Sequence, residues 1–192
     1  FRTAVKEVLV EDGHAVGVVL ENDEVIKAKK IVLAPGRDGS AWLTKVLKQH
    51  GLELYNNQVD IGVRVETSNI VMEEINSNLY EGKFVYNTSV GTKVRTFCSN
   101  PSGHVVIENH SGTMLANGHA YHDPKLGSKN TNFALLVSHT FSEPFNEPNE
   151  FAHEVSRLAN KLSNGSVMVQ RYGDIKKGRR TTYKRLKEGY TE

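Results

Sequence analysis

The sequence predicts an α+β fold in two parts. The first is a small α/β part made of a β-meander, one parallel strand and one helix. The second is an antiparallel β-rich part carrying one long helix. Three observations predict this. The first 28 residues are alternating, β-branched runs separated by turn residues. Residues 30–34 (KIVLA) are apolar on both faces and run into a glycine turn that opens a helix. Beyond residue 52, short strand-like pieces recur, and one stretch instead has helical spacing.

Each element follows from local chemistry. Residues 2–10 alternate, and Asp12-Gly13 marks a hairpin turn because glycine takes positive φ at little cost. Residues 15–20 form the return strand, Asn22-Asp23 a second turn, and residues 24–28 a third strand. After the apolar run 30–34, the segment Pro35-Gly36-Arg37-Asp38-Gly39 stops the strand. A helix follows, with Asp38 or Ser40 as its expected N-cap and Gly51 at its C-terminal end. Within it, Trp42 and Val46, and Leu43 and Leu47, lie four apart and give an apolar face.

In the second part, residues 59–66 alternate and residues 68–79 read as a short helix. Strands are expected at 83–88, 93–98, 104–108, 113–116 and 132–141. Phe151, Val155, Leu158 and Leu162 follow a 4-3-4 spacing, so residues 149–162 form a helix ended by Asn164-Gly165. Residues 167–172 (VMVQRY) are a last strand candidate. The resulting boundaries are 1–56, 57–175 and a basic tail, 176–192.

Composition narrows the function. The 192 residues are 38% hydrophobic and 24% charged, which excludes collagen, a coiled coil and a low-complexity disordered chain. The longest apolar runs fall far short of a membrane span, so a soluble chain with no membrane partner is expected. One cysteine, Cys98, forbids an internal disulfide and points to a reducing, cytoplasmic setting. The opening carries no signal-peptide pattern. It starts on Phe1 inside a strand-like run, and the chain is read as a piece of a longer protein.

Net charge is +2, but seven lysines and arginines fall within residues 176–187. Without the tail, 17 basic face 20 acidic residues. A basic tail suits nucleic acid. Tyr183 is its one interior aromatic, however, so a solvated or packed surface segment is the stronger reading.

The turn at Ala34-Pro35-Gly36-Arg37 is the most informative site. A strand ending in a glycine turn before a helix offers backbone N–H groups and a positive helix end to an anion. Arg37 adds a fixed cation suited to phosphate. Many such turns bind nothing. A second candidate is Cys98, within Arg95-Thr96-Phe97-Cys98. It reads either as a thiol near a substrate, with Arg95 lowering its pKa, or as a small hydrophobe at a strand end. His119-x-x-His122-Asp123 lacks the spacing of a known metal motif, and no metal is expected.

The context of the turn resembles a known family. Residues 26–36 (IKAKKIVLAPG) resemble the strand that ends in Ala-x-Gly in the FAD-binding domain of glutathione-reductase-like two-dinucleotide-domain flavoproteins. A longer likeness is to bacterial FAD-dependent dehydrogenases of unassigned substrate. It is carried by residues 32–43 (VLAPGRDGSAWL), 62–66 (GVRVE) and 95–98 (RTFC) with Pro101, Gly103 and Val105. Asn117-Gly118 and Gly173-Asp174 add to it.

The resemblance implies hydride transfer between flavin and an organic substrate, with NADH or NADPH open as electron partner. It places Ala34, Pro35, Gly36 and Arg37 beside the FAD dinucleotide, and the backbone of Val5 at the adenine edge. Arg64, Arg95, Cys98 and His104 are the catalytic candidates. The family's G-x-G-x-x-G pyrophosphate turn does not occur in the sequence. The fragment alone is therefore expected to be inactive and not to retain FAD. The alternatives are a non-catalytic substrate-recognition or interaction domain and, more weakly, a nucleic-acid binder using the tail.

Overall fold

The computed structural model describes residues 2–189, so residues 190–192 of the basic tail lie outside the described residues. The fold is α+β, with an antiparallel β-rich second part and one long helix, as the sequence predicts. It divides into two compact units, residues 1–55 and 56–192.

In the first unit, β1 (Val5–Glu11), β2 (His14–Leu20) and β3 (Val25–Lys27) form an antiparallel meander in sequence order. The first turn has both Asp12 (φ 49°) and Gly13 (φ 76°) in the left-handed region, which matches the twist of the flanking strands. Helix α1 (Ser40–Gln49) is tied to the meander at two points. Trp42 Nε1 donates to the Lys6 carbonyl at 3.0 Å, and His50 Nε2 lies 3.0 Å from the Val8 carbonyl. The buried apolar side chains of this unit are Val8, Val19, Leu20 and Val46. Each contributes roughly 1.5–3 kcal/mol through removal of apolar surface from water.

The expected parallel strand at residues 30–34 is not formed. Residues 30–35 pair with no strand among the described residues, and Val32 is 90% exposed. An apolar run becomes a buried strand only when neighbouring strands pair with it and its faces are covered. Every strand pairing among the described residues is antiparallel. The helix start also differs. Gly39 occupies the N-cap, with no side-chain cap. A Cβ there would collide with Pro35, so the close packing of the turn on Pro35 selects glycine at the cap position in place of the expected Asp38 or Ser40. Gly51 lies just past the helix at φ 72°, and Leu52 N–H returns to the Leu47 carbonyl.

The second unit is built on β4 (Val59–Ser68), β5 (Val85–Asn87), β6 (Lys93–Asn100) and β9 (Asn130–His139). They form one antiparallel sheet in the order β4-β9-β6-β5. β7 (His104–His110) and β8 (Thr113–His119) form a separate hairpin. Helix α2 (Asn69–Asn78) follows β4 directly, with the Ser68 hydroxyl accepting from Ile70 N–H.

The centre of this unit is polar. Thr131 and Asn132 are fully buried at the start of β9. Asn69 and Asn76, seven apart on α2 and so on one face, both reach Thr131. Asn76 Nδ2 donates to Thr131 Oγ1 at 2.9 Å, and Thr131 Oγ1 donates to Asn69 Oδ1 at 2.7 Å.

Helix α3 (Pro148–Leu162) uses its predicted stripe only in part. Phe151 packs against Phe141 and His139, while Leu158 and Leu162 stay exposed. The expected strand at 167–172 is absent: Met168 and Val169 are half exposed and find no partner strand. Tyr172 instead begins α4 (Tyr172–Lys176), followed by α5 (Tyr183–Gly189). The described part of the basic tail is therefore folded. Asp174, 2% exposed, accepts from Arg179 Nε at 2.6 Å, Thr181 Oγ1 at 3.0 Å and Arg185 Nε at 3.1 Å. No described helix is long and apolar enough to cross a membrane.

Candidate functional site

Two places carry the residues singled out by the sequence. The first is the bend at Ala34–Arg37 in the first unit. Its four residues are exposed. Gly36 sits at φ 71°, a conformation glycine adopts without a Cβ clash, and nothing lies within 4 Å of where a Cβ would project. The chain then closes into α1 through Ser40 N–H to the Arg37 carbonyl (3.1 Å) and Leu43 N–H to the Gly39 carbonyl (2.9 Å). The helix begins with no acidic residue in its first turn, so its positive end keeps its partial charge. Val5 lies on the edge strand of the meander, half-buried and opposite Leu20.

The second place is a bulge in β6. Its register against β9 slips between Phe97 and Asn100. Cys98 stands inside the slip at φ 50°, an uncommon conformation for a residue with a side chain. The rotation turns its carbonyl toward Arg64 and Asn100. Arg64 Nη2 donates to that carbonyl at 3.2 Å and Asn100 Nδ2 at 2.9 Å. Arg64 Nε donates to Asn132 Oδ1 at 2.9 Å. Asn132 is fully buried, and its Nδ2 has no partner in the structure.

Gly118 on β8 completes the cluster by being small. A Cβ at that position would overlap both Arg64 Nη2 and Asn132 Oδ1. Three strands of the large sheet and one strand of the hairpin thus meet at one guanidinium. The acceptors that Arg64 engages are neutral, an amide oxygen and a peptide carbonyl. Such a site holds its cation by orientation rather than by ion pairing.

The other two candidates face other partners. Arg95 pairs with Asp60, Nη2 to Oδ2 at 2.6 Å, and its guanidinium lies over the Phe97 ring, 5.2 Å from the centroid. His104 Nε2 contacts the Leu126 carbonyl at 2.9 Å, and its ring meets Tyr121 edge-on at 5.5 Å. The structure therefore joins Arg64 to Cys98 and leads Arg95 and His104 elsewhere.

The histidine-rich hairpin is an acid–imidazole network. Glu108 faces His110 and His119, each at 3.1 Å, and accepts from Asn117 Nδ2 at 2.8 Å. Asp123 caps a 3-10 turn, Pro124–Leu126. Among the described residues no group of three or more His, Cys, Asp or Glu side chains is arranged to hold a metal ion.

Sequence reasoning missed Asn132, Thr131, Asn69 and Asp60. One signal was available: Asn130-Thr131-Asn132 opens a strand that is otherwise apolar. A polar start to a buried strand demands partners within the fold.

No protein-family model matches this chain, and no curated protein matches it.

Proposed function

We propose that this chain is part of an FAD-dependent oxidoreductase, a dehydrogenase of the glutathione-reductase-like flavoprotein class. It would act in the cytoplasm on a small organic substrate, with NADH, NADPH or neither as electron partner. The observation that carries the reading is the open bend at Ala34–Arg37. Its glycine backbone is left-handed, its outer side is empty, and a helix with an uncharged first turn begins behind it. A dinucleotide phosphate requires close backbone approach, and the empty space outside Gly36 supports that reading.

FAD, when bound, would supply the hydride-accepting ring. The chain's part is to hold and orient it. The backbone from Ala34 to Arg37 and the first turn of α1 would face the dinucleotide. Val5, on an edge strand, would offer backbone groups to the adenine. The Arg64–Cys98 bulge would serve the substrate side, with its cation held by neutral acceptors.

The test is an amide-resolved NMR titration of the 192-residue chain with FAD. Selective, saturating shifts at Gly36–Trp42 are expected at millimolar FAD. Co-elution of flavin on gel filtration is not expected, because the sequence holds no G-x-G-x-x-G turn. Shifts that avoid residues 34–42 would sink the reading.

A further inference from the structure

We infer that the cleft at one end of the four-stranded sheet is a binding site for a compact organic oxyanion, a carboxylate or a phosphate monoester. The cleft lies wholly within residues 56–192 and stands independently of the flavin reading. Its volume is about 460 Å³, within the range of small-molecule sites. The start of β4, the end of β9 and the start of β6 converge there. Gln58, Thr92, Lys93, Arg95, Ser138 and His139 are the lining groups that bear on the argument.

The charge pattern selects the ligand. Lys93 and Arg95 are two apart on β6 and so project from the same face. Among the described residues no carboxylate pairs with Lys93. No acidic residue lines the cleft. The nearby carboxylate, Asp60, is already engaged at both oxygens. Oδ2 accepts from Arg95 Nη2 at 2.6 Å, and Oδ1 accepts from Ser138 Oγ at 2.6 Å. Asp60 thus fixes the two side chains beside the cleft without entering it.

Arg95 is held from two sides, by Asp60 and by the Phe97 ring. A guanidinium oriented in advance loses little freedom when it grips an oxyanion through its remaining N–H groups. The turn that carries Thr92 is also braced, with Gly91 N–H on the Thr88 carbonyl (3.0 Å) and Thr88 N–H on the Thr92 carbonyl (2.9 Å). With Asp60 neutralising one of the two cations, Lys93 and Arg95 leave a net charge of +1 and several N–H donors at the edge of one braced cleft, which suits an oxyanion.

The experiment follows backbone amides of the full chain by NMR during separate additions of sodium phosphate and sodium succinate. Sodium chloride at matched ionic strength is the reference. The amides of Thr92, Lys93, Arg95, Ser138 and His139 should move together and saturate with at least one of the two anions. The arm that saturates tells phosphate from carboxylate chemistry. Lys93→Glu should weaken the saturating arm by about tenfold or more, since it reverses one charge at the rim. Lys93→Gln, which only removes the charge, should weaken it less and serves if the reversal perturbs the fold. Shifts no larger than those from chloride, or affinities unchanged in both variants, would overturn the inference.

Discussion

The side-chain amide of Asn160 on α3 acts as a strand partner for Met114 on β8. Its Oδ1 accepts from Met114 N–H at 2.7 Å, and its Nδ2 donates to the Met114 carbonyl at 2.9 Å. One residue therefore supplies both hydrogen bonds that a neighbouring strand would give. Asn160→Ala should leave two half-buried backbone groups without partners and cost about 1–3 kcal/mol. Asn160→Asp should cost as much, because a carboxylate has no donor for the carbonyl. Urea denaturation of both variants checks this, and a midpoint equal to wild type for either one contradicts it.

Gly118→Ala should destabilise by about 1–3 kcal/mol, the usual range for forcing a methyl group into filled space. The clash is with both Arg64 Nη2 and Asn132 Oδ1, so Arg64→Ala should relieve the part that Arg64 causes and leave the part at Asn132. A double-mutant cycle at these two positions is expected to show coupling of about 0.5–3 kcal/mol. Additive effects would mean that the glycine is required for some other reason.

Cys98 should tolerate glycine or asparagine and resist valine. Its φ of 50° disfavours β-branched side chains above all. Cys98→Val is expected to cost about 1–3 kcal/mol and Cys98→Gly to change stability by less than about 1 kcal/mol. The order of the chemical-denaturation midpoints decides between this account and one in which the thiol is needed for packing.

The Asp174 carboxyl is held down from 3.8 to about 2, chiefly by the Arg179 hydrogen bond and further by Arg185 and Thr181, against the opposing effect of its burial. A carboxyl whose folded pKa is depressed stabilises the fold fully above its unfolded value, and that contribution fades as pH falls toward the folded value. Order in residues 171–185 should therefore be constant above about pH 5 and decline between about pH 4 and pH 2. Asp174→Asn should show the low-pH behaviour at neutral pH. Amide protection at Lys177 and Arg179, whose N–H groups both bond the Asp174 carbonyl, reports the change.

Much of the architecture is legible in the sequence because it rests on local rules. Alternation and Asp12-Gly13 specify the first hairpin, and the 4-3-4 spacing specifies α3. The misreadings share a different cause. Residues 30–34 and 167–172 have strand-like composition, yet a strand also needs a neighbour, and composition does not reveal whether one exists. The folded tail was hidden for a related reason. A single aspartate, Asp174, two residues ahead of the basic run organises two arginines and a threonine, and such a hub has no periodicity. At the candidate site, Cys98 stood out by type. Its function as the pivot of a bulge, with Arg64 on its carbonyl, depends on a φ value and a register slip that residue identity alone does not carry.

The unpaired stretch at 31–35 sets a limit on how concentrated this chain can be kept. Val32 stands in solvent beside backbone groups that no strand has claimed, which is the template on which copies stack edge to edge. Lys29 and Lys30 sit just upstream as gatekeepers, repelling the same pair on an approaching copy. Salt shortens the reach of that repulsion, so turbidity should grow as ionic strength rises.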